Sequence, residues 1–356
     1  MKYKYENASE FLIWFLKNEE DLVEKMKKTE HSLSGEPNPH HIEGSIFTHT
    51  LMVYNEGIHL KVNKLVQIAL LLHDIGKVNT IKHDKETNKT SFNGHEGYSY
   101  YMAIEILNKL DLFNSEKELI LNMIVHHSSF WNIGKKTKKY WTSKDLPLLK
   151  NLMDVVYCDA RGRIFLNSRA ENPISDDFKN LMENIQPTRD DIVAQYIPTI
   201  TLMIGVPKSG KTTFLKNQKY SDNTVIISRD DILMEFAQDG LTYNKAWKWA
   251  EDNGKHKEID KSFTKRLRDA FEKNLNIVID NTNVNRKSRN RILSSTPSHY
   301  KRNAIVFATG LNEIYKRNGD DAKISKDLFY EVFHNMITRF KTPTYGEFAD
   351  IKYIFD

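Results

Sequence analysis

Up to about residue 190 the apolar positions recur on a helical period; from about residue 197 they gather into short strand-like runs. Phe11, Leu12, Trp14, Phe15 and Leu16 mark a first helix over 7–17. The same spacing predicts helices over 46–58, 64–75, 96–110, 116–129 and 146–160, with almost no strand-like alternation among them. The later runs are 199–204 (Thr-Ile-Thr-Leu-Met-Ile), 224–227, 276–279 and 304–307, with helical stretches at 211–217, 244–274, 286–294 and 325–340. Short buried strands alternating with helices describe a parallel sheet. The pattern therefore predicts two domains: an all-α domain over 1–188, then an α/β domain over 189–356. Gln186 to Asp191, closed by Pro198, reads as the joint.

Composition narrows the class without changing this picture. The chain has 356 residues, 52 Lys+Arg against 47 Asp+Glu, 40% hydrophobic and 28% charged residues. That is a globular balance, not a disordered one. No stretch approaches the roughly 20 apolar residues that span a bilayer, so no membrane association is expected. The start, Met1-Lys2-Tyr3-Lys4-Tyr5-Glu6, has no apolar signal-peptide core. Cys158 is the single cysteine, so no intramolecular disulfide can form, and a reducing cytoplasm is the expected location. The net charge of +5 permits nucleic-acid binding without arguing for it. Thirteen histidines, most of them in the first half, are the unusual count.

Gly205-Val206-Pro207-Lys208-Ser209-Gly210-Lys211-Thr212 matches G-x-x-x-x-G-K-[ST], between an expected strand and an expected helix. The glycines let backbone N–H groups ring a β-phosphate at a helix N-terminus. Lys211 is placed to meet the β/γ oxygens and the Thr212 hydroxyl to hold Mg²⁺, with Pro207, Lys208, Ser209 and Thr213 completing the cradle. The expected cofactor is ATP or another nucleoside triphosphate, with Mg²⁺. Ser228-Arg229-Asp230-Asp231 ends the second strand and Asp280-Asn281-Thr282-Asn283 the third, on the sheet edge where such folds bind ligands. A carboxylate there can take a proton from an attacking hydroxyl, although one of Asp230 and Asp231 can equally serve as a helix N-cap.

These segments, with Tyr315-Lys316-Arg317-Asn318 and the ending Thr342-Pro343-Thr344-Tyr345-Gly346-Glu347-Phe348, resemble the kinase module of phage and bacterial 5′-OH polynucleotide kinases over about 198–350. The resemblance implies transfer of the ATP γ-phosphate to a 5′-hydroxyl of RNA or DNA. It implies Asp230 as general base and Arg317 as part of a lid over the phosphates. Two positions depart from the family: Leu233 stands where some members hold an acceptor phosphate with arginine, and Lys323 is the available substitute for a second lid arginine. Tyr243, Trp247 and Trp249, with Lys245, Lys248 and Lys255 nearby, can stack bases or can bury one face of an amphipathic helix.

In the first half, His73-Asp74 ends an apolar helix, with His49 upstream and His95, His126-His127 and Asp159 downstream. All sit on or beside expected helices, so a bundle core can gather them. Imidazole and carboxylate donors without thiolates suit Mn²⁺, Fe²⁺, Co²⁺, Ni²⁺ or Zn²⁺, which acidify a bound water for phosphoester cleavage. The set resembles the HD phosphohydrolase superfamily, which implies His49, His73, Asp74 and Asp159 as ligands. Two-metal variants of that superfamily add His95 and His126, although His126 and His127 point about 100° apart on a helix and either can be the inward one. His41-Ile42-Glu43 and Asp159-Ala160-Arg161-Gly162-Arg163 are similar to the HD domain of bacterial tRNA nucleotidyltransferases, which implies Lys77 as a contact to the scissile phosphate. His31, His40, His59 and His83 read as surface or packing residues, with His41 between the two classes.

The order of the halves resembles bifunctional HD–polynucleotide kinase end-healing enzymes. That resemblance implies removal of a 2′,3′-cyclic, 2′- or 3′-phosphate from one end and phosphorylation of a 5′-OH at the other. It implies RNA or DNA ends as partners and a possible separate ligase. A nucleotide or small-molecule kinase fused to a nucleotide phosphohydrolase is the competing reading, and the oligomeric state stays open.

Overall fold

The computed structural model describes residues 2–33, 38, 41–128, 140–164, 176–183, 185, 198–237, 240–320 and 326–356. The expected joint at 186–191, with His40 and Lys323, lies outside the described residues. The chain divides into two compact units: Met1–Pro187 with Ile337–Lys341, and Thr188–Met336 with Thr342–Asp356.

The first unit is helical. It comprises α1 (Ala8–Asn18), α2 (Glu20–Lys28), α3 (Ile46–His59), α4 (Lys64–Leu72), a small antiparallel hairpin of β1 (Lys82–Asp84) and β2 (Lys89–Ser91), α5 (His95–Asn108), α6 (Asn114–His126), α7 (Leu146–Arg161) and α8 (Asp176–Glu183). The helices begin where side chains can cap them: Asn7, Ser45 and Asn63 each accept from backbone N–H groups of the first turn. Val66, Ile68, Ala69, Leu70, Leu71 and Leu72 are all buried, so α4 is apolar nearly all round. Such a helix belongs at the centre of a bundle, and α4 packs against α1, α3, α6 and α7. The periodicity missed α2, whose buried stripe is only Val23 and Met26, and the hairpin, whose three-residue strands are too short to alternate visibly.

The helix expected over 64–75 stops at Leu72, and the chain turns into a 3₁₀ segment, Ile75–Asn79. Gly76 explains the break. A Cβ there would lie 2.2 Å from the His95 carbonyl oxygen, and the Gly76 N–H donates to the Ser99 hydroxyl at 2.8 Å. This close approach brings the end of α4 against the start of α5. The residues 337–341 that complete this unit place Phe340 against Tyr100 and Tyr101, at ring separations of 4.6 and 5.2 Å.

The second unit is a five-stranded parallel sheet, in order β4-β5-β3-β6-β7. Its strands are β3 (Thr199–Ile204), β4 (Thr224–Ile227), β5 (Asn276–Ile279), β6 (Lys301–Ala308) and β7 (Asp350–Phe355). Its helices are α9 (Lys211–Lys216), α10 (Arg229–Phe236), α11 (Tyr243–Asp252), α12 (His256–Glu272), α13 (Arg286–Leu293), α14 (Leu311–Asp320) and α15 (Lys326–Ile337). The single helix expected over 244–274 is two, broken at Gly254 with φ +63°, a left-handed conformation that ends α11. The edge strand β7 escaped notice because its alternation is mostly half-buried and only six residues long. Among the described residues no helix is long and apolar enough to cross a membrane.

One buried ion pair ties the C-terminal stretch to the sheet. Arg289 of α13 is fully buried and donates to both Glu347 oxygens, from Nε at 2.8 Å and Nη2 at 2.9 Å. It also donates to the Asn283 and Thr342 carbonyls. The ending read as a motif of the kinase family therefore has a structural task here. Removing one partner leaves the other as a buried unpaired charge, so Glu347→Ala is expected to destabilise this unit by about 3–5 kcal/mol. Chemical denaturation of wild type and variant measures the difference.

Candidate functional site

Five stretches of the helical unit converge on one buried cluster. His49 comes from the first turn of α3, His73 and Asp74 from the break after α4, His95 from the first residue of α5, His127 from just beyond α6, and Asp159 from α7. His49 Nε2 lies 3.1 Å from Asp159 Oδ1 and 3.5 Å from Asp74 Oδ2. His73 Nε2 lies 3.2 Å from Asp74 Oδ2 and 3.8 Å from Asp159 Oδ1. On the other Asp74 oxygen, His95 Nε2 and His127 Nε2 stand at 3.2 and 3.7 Å, and 3.3 Å from each other. Asp74 thus bridges two groups of donors: His49, His73 and Asp159 on one side, His95 and His127 on the other.

The hydrogen bonds around the rings decide what faces inward. The Nδ1 atoms of His73, His95 and His127 lie 2.8, 2.8 and 2.6 Å from the carbonyls of Leu70, Phe92 and Ile124, each three residues earlier. A carbonyl only accepts, so Nδ1 carries the proton and Nε2 presents a lone pair to the cluster. Glu43 Oε1 lies 3.0 Å from His49 Nδ1 as an ion-pair contact, outside hydrogen-bond geometry. His73 Nε2 and Asp74 Oδ1 are buried without a hydrogen-bond partner. Imidazole nitrogens and carboxylate oxygens that converge in this way, among them buried atoms without a hydrogen-bond partner, fit a divalent transition metal. Burial, with the carboxylates Asp154, Glu56 and Asp159 nearby, pushes the Cys158 thiol up to about 12, and Cys158 is not among the gathered donors.

The charges around the cluster favour ionised carboxylates. Burial alone would raise Asp74, but His73 and Lys77 overcome it and hold the carboxyl well below its usual value. Asp159 is likewise opposed by burial and held low by Arg163 and His49. Lys77 Nζ lies 2.7 Å from Asp74 Oδ2 and 3.3 Å from His31 Nε2.

One expected ligand lies outside the cluster. His127, and not His126, joins the cluster; the His126 ring packs edge-on against Trp141 at 5.2 Å. The two differ by a rotation of about 100°, and only packing selects between them. His31, read as a surface or packing residue, is buried beside Lys77 and stacks on His41 at 4.2 Å. His31, His41 and Glu43 form a further group of donors beside the first. No spacing could have found His31, because it reaches the cluster through a loop bonded across to Gly44.

In the second unit the Gly205–Thr212 loop lies between β3 and α9, flanked in the sheet by β5 and β6. Lys208 and Gly210 adopt φ of +67° and +93°, which turn the loop around a concavity. A side chain at Gly205 would strike the Ser209 hydroxyl, 2.5 Å away. Lys211 Nζ donates to the Gly205 and Val206 carbonyls, both at 2.9 Å, and burial lowers its pKa to about 8. Thr212 and Thr213 open the first turn of α9 and are exposed. Arg317 of α14 lies across the loop: its Nη1 donates to the Lys208 carbonyl at 3.2 Å, while Glu313 and Asp356 hold its other nitrogens.

Neither Asp230 nor Asp231 caps α10. Ser228 does, accepting from the Asp231 N–H, so both carboxylates remain available. Asp230 accepts from the Tyr243 hydroxyl at 3.0 Å, and burial in the crevice raises its carboxyl above the ordinary value. Leu233, where some relatives of the resembling family place an arginine, is fully buried and faces the core. Asn283, at φ +47°, donates to the Met203 carbonyl and braces the end of β3.

These two sites define a class of protein, in which a helical unit built to hold divalent metal shares a chain with an α/β unit built to hold a nucleoside triphosphate. Residues 46–161 match the HD domain family and residues 200–343 match the AAA domain family. His31, His41, Glu43 and Arg163 lie outside the HD match. No curated protein matches the chain. Among solved structures, a chain of a Pnkp1/Rnl/Hen1 complex is 23% identical over 35% of this chain and 40% of that one, with a TM-score of 0.27. A chain of the Pnkp1/Rnl/Hen1 RNA repair complex is 22% identical over 41% and 45%, with a TM-score of 0.32. The protein spans less than half the length of each.

His127→Ala is expected to lower bound metal after reconstitution with Mn²⁺, Ni²⁺ or Zn²⁺, whereas His126→Ala retains it; elemental analysis of the dialysed proteins reads the difference. In the other unit, nucleotide affinity should weaken as pH rises past about 8, because Lys211 in the free protein then loses the proton that meets the phosphates. Titration calorimetry with a non-hydrolysable ATP analogue checks this, and Lys211→Arg should flatten the alkaline side.

Proposed function

We propose that the protein is a bifunctional nucleic-acid end-healing enzyme. The AAA domain transfers the γ-phosphate of ATP, or another nucleoside triphosphate, to a 5′-hydroxyl end. The HD domain removes a 2′,3′-cyclic, 2′- or 3′-phosphate from the opposite kind of end. The observation that carries the reading is the presence in one chain of a gathered His/Asp cluster and a P-loop with a carboxylate not spent on a helix cap, Asp230, at the sheet edge. Strand cleavage that leaves a 2′,3′-cyclic phosphate and a 5′-hydroxyl creates substrates for both activities at once.

In the kinase reaction the terminal 5′-oxygen attacks the γ-phosphorus, the bond to the β–γ bridging oxygen breaks, and the nucleoside diphosphate leaves. Asp230 takes the proton of the attacking hydroxyl. Lys211 exchanges its loop carbonyls for β/γ oxygens, and Arg317, already against the loop, neutralises charge that develops on the transferred group. Thr212 is the residue that would hold Mg²⁺.

In the HD domain, His49, His73, Asp74 and Asp159 would hold one divalent ion, and His95 and His127 would extend the set to a second. A divalent metal there supplies a Lewis acid and an acidified water. Lys77, beside Asp74 at the rim of the cluster, meets the scissile phosphate. Arg163 bonds Asp159 and keeps its carboxylate ionised and aligned. The healed ends would pass to a separate ligase; a 2′,3′-cyclic or 2′-phosphate requires a ribose 2′-oxygen and so an RNA end, whereas a 3′-phosphate and a 5′-hydroxyl occur on RNA and DNA alike.

The test is an RNA oligonucleotide carrying a 5′-OH and a 2′,3′-cyclic phosphate, incubated with ATP, Mg²⁺ and each transition metal in turn. Both ends are followed by mass spectrometry. Lys211→Ala should abolish only 5′ phosphorylation, and Asp74→Ala only 3′-end processing. Labelling of nucleosides or small molecules in place of the oligonucleotide would overturn the reading in favour of a small-molecule kinase.

A further inference from the structure

Trp247 leaves 41% of its surface open to solvent, an unusual position for the largest apolar side chain. It stands on α11 four residues after Tyr243, so the two share a face of the helix. Tyr243 is the residue whose hydroxyl bonds Asp230. The helix is held down by Ala246 and Ala250, which are fully buried. Small residues thus anchor α11, and Trp247, on the same helix face as the tyrosine that bonds Asp230, is left uncovered. The amphipathic reading, in which the tryptophans are the buried stripe, fails for Trp247.

The surroundings of the indole are organised as well. Its ring lies 5.0 Å from that of His256, tilted by 52°. Arg229, the neighbour of Asp230, donates from Nη2 toward His256 Nδ1 at 3.3 Å and from Nε to Asp260 at 2.8 Å. With Nδ1 accepting, the His256 proton is on Nε2, which is buried without a hydrogen-bond partner. Lys245 and Lys248 are exposed on the same helix, and among the described residues no carboxylate pairs with either. A flat open aromatic face, a nearby imidazole and unpaired cations suit a nucleobase with its flanking phosphate. Four residues rise about 6 Å along a helix, so Trp247 stands about one turn beyond Tyr243 on the same face.

We propose that α11 forms the acceptor side of the AAA-domain site: Trp247 stacks the nucleobase of the 5′-terminal nucleotide, and Tyr243 positions Asp230 for that nucleotide's hydroxyl. This rests on the polynucleotide-kinase reading above and deepens it by naming what holds the acceptor. Stacking on a base face is indifferent to base identity, so the site takes any sequence and needs a base at the terminal position. Tyr243 acts through Asp230 and touches no reacting atom.

The experiment measures 5′ phosphorylation of a single-stranded 5′-OH oligonucleotide and of the same oligonucleotide with an abasic first residue. Wild type is compared with Trp247→Ala, Trp247→Phe and Tyr243→Phe. Trp247→Ala should raise the acceptor KM roughly ten- to a hundred-fold with kcat within about twofold, the range of a lost base stack. Trp247→Phe should keep KM within about threefold, which separates stacking from misfolding. On the abasic substrate wild type and Trp247→Ala should coincide, because the stack is already missing. Tyr243→Phe should lower kcat about tenfold and leave KM unchanged. The proposal is overturned if wild type uses both substrates equally, or if Trp247→Ala and the abasic residue weaken acceptor use independently. A wild type that phosphorylates no oligonucleotide at all removes the kinase reading itself, and this inference with it.

Discussion

Asp74 and Asp159 are carboxylates sealed inside a helical bundle, where an uncompensated charge costs several kcal/mol. Everything around them answers that cost. The nearest Nε2 atoms face them, the far Nδ1 atoms are pinned to backbone carbonyls, and Lys77 and Arg163 supply full positive charge from the rim. The backbone break after Leu72 is part of the same solution. Had α4 continued, Asp74 could not lie at once against donors from α3, α5 and the end of α6. Gly76 permits that break because α5 passes too close for a side chain. The folding of this unit and the assembly of its donor cluster are therefore one event.

The α/β unit meets the opposite requirement. Its loop must be able to surround a highly charged ligand and must also be stable without one. Lys211 folds onto the loop's own carbonyls, and Arg317 rests on the Lys208 carbonyl with carboxylates at its other nitrogens. Each cation thus has a moderate partner that phosphate oxygens can displace. The rigid parts lie behind the loop: Asn283 braces the end of β3, and the Arg289–Glu347 pair fastens the C-terminal stretch to α13. Bidentate geometry and full burial make that pair an orienting device, since each partner left alone would be a buried charge.

The helices, the parallel strands, the P-loop and the histidine–aspartate set were legible along the chain because each is a local pattern: a period, a spacing or a contiguous motif. Hydrophobic periodicity reports which side of an element is buried, and Gly-x-x-x-x-Gly-Lys-Thr reports a loop whose backbone carries the chemistry. Cap assignment was already less legible. Ser228, adjacent to the two acids, takes the cap of α10 and leaves Asp230 for Tyr243. The short elements α2, the hairpin and β7 left too few apolar positions to show a period.

Alone, the sequence determined that one half is helical and rich in metal-competent side chains, and that the other carries a phosphate cradle on a parallel sheet. Only the tertiary structure decided which side chains meet. It chose His127 over His126, drew His31 from a distant loop to Lys77, turned Leu233 into the core and left Trp247 uncovered on the helix face it shares with Tyr243, the partner of Asp230. The physical reason is the same in each case. A one-residue rotation of about 100° on a helix, or the closure of a loop, changes a side chain's surroundings completely, and packing between elements far apart in the chain sets both.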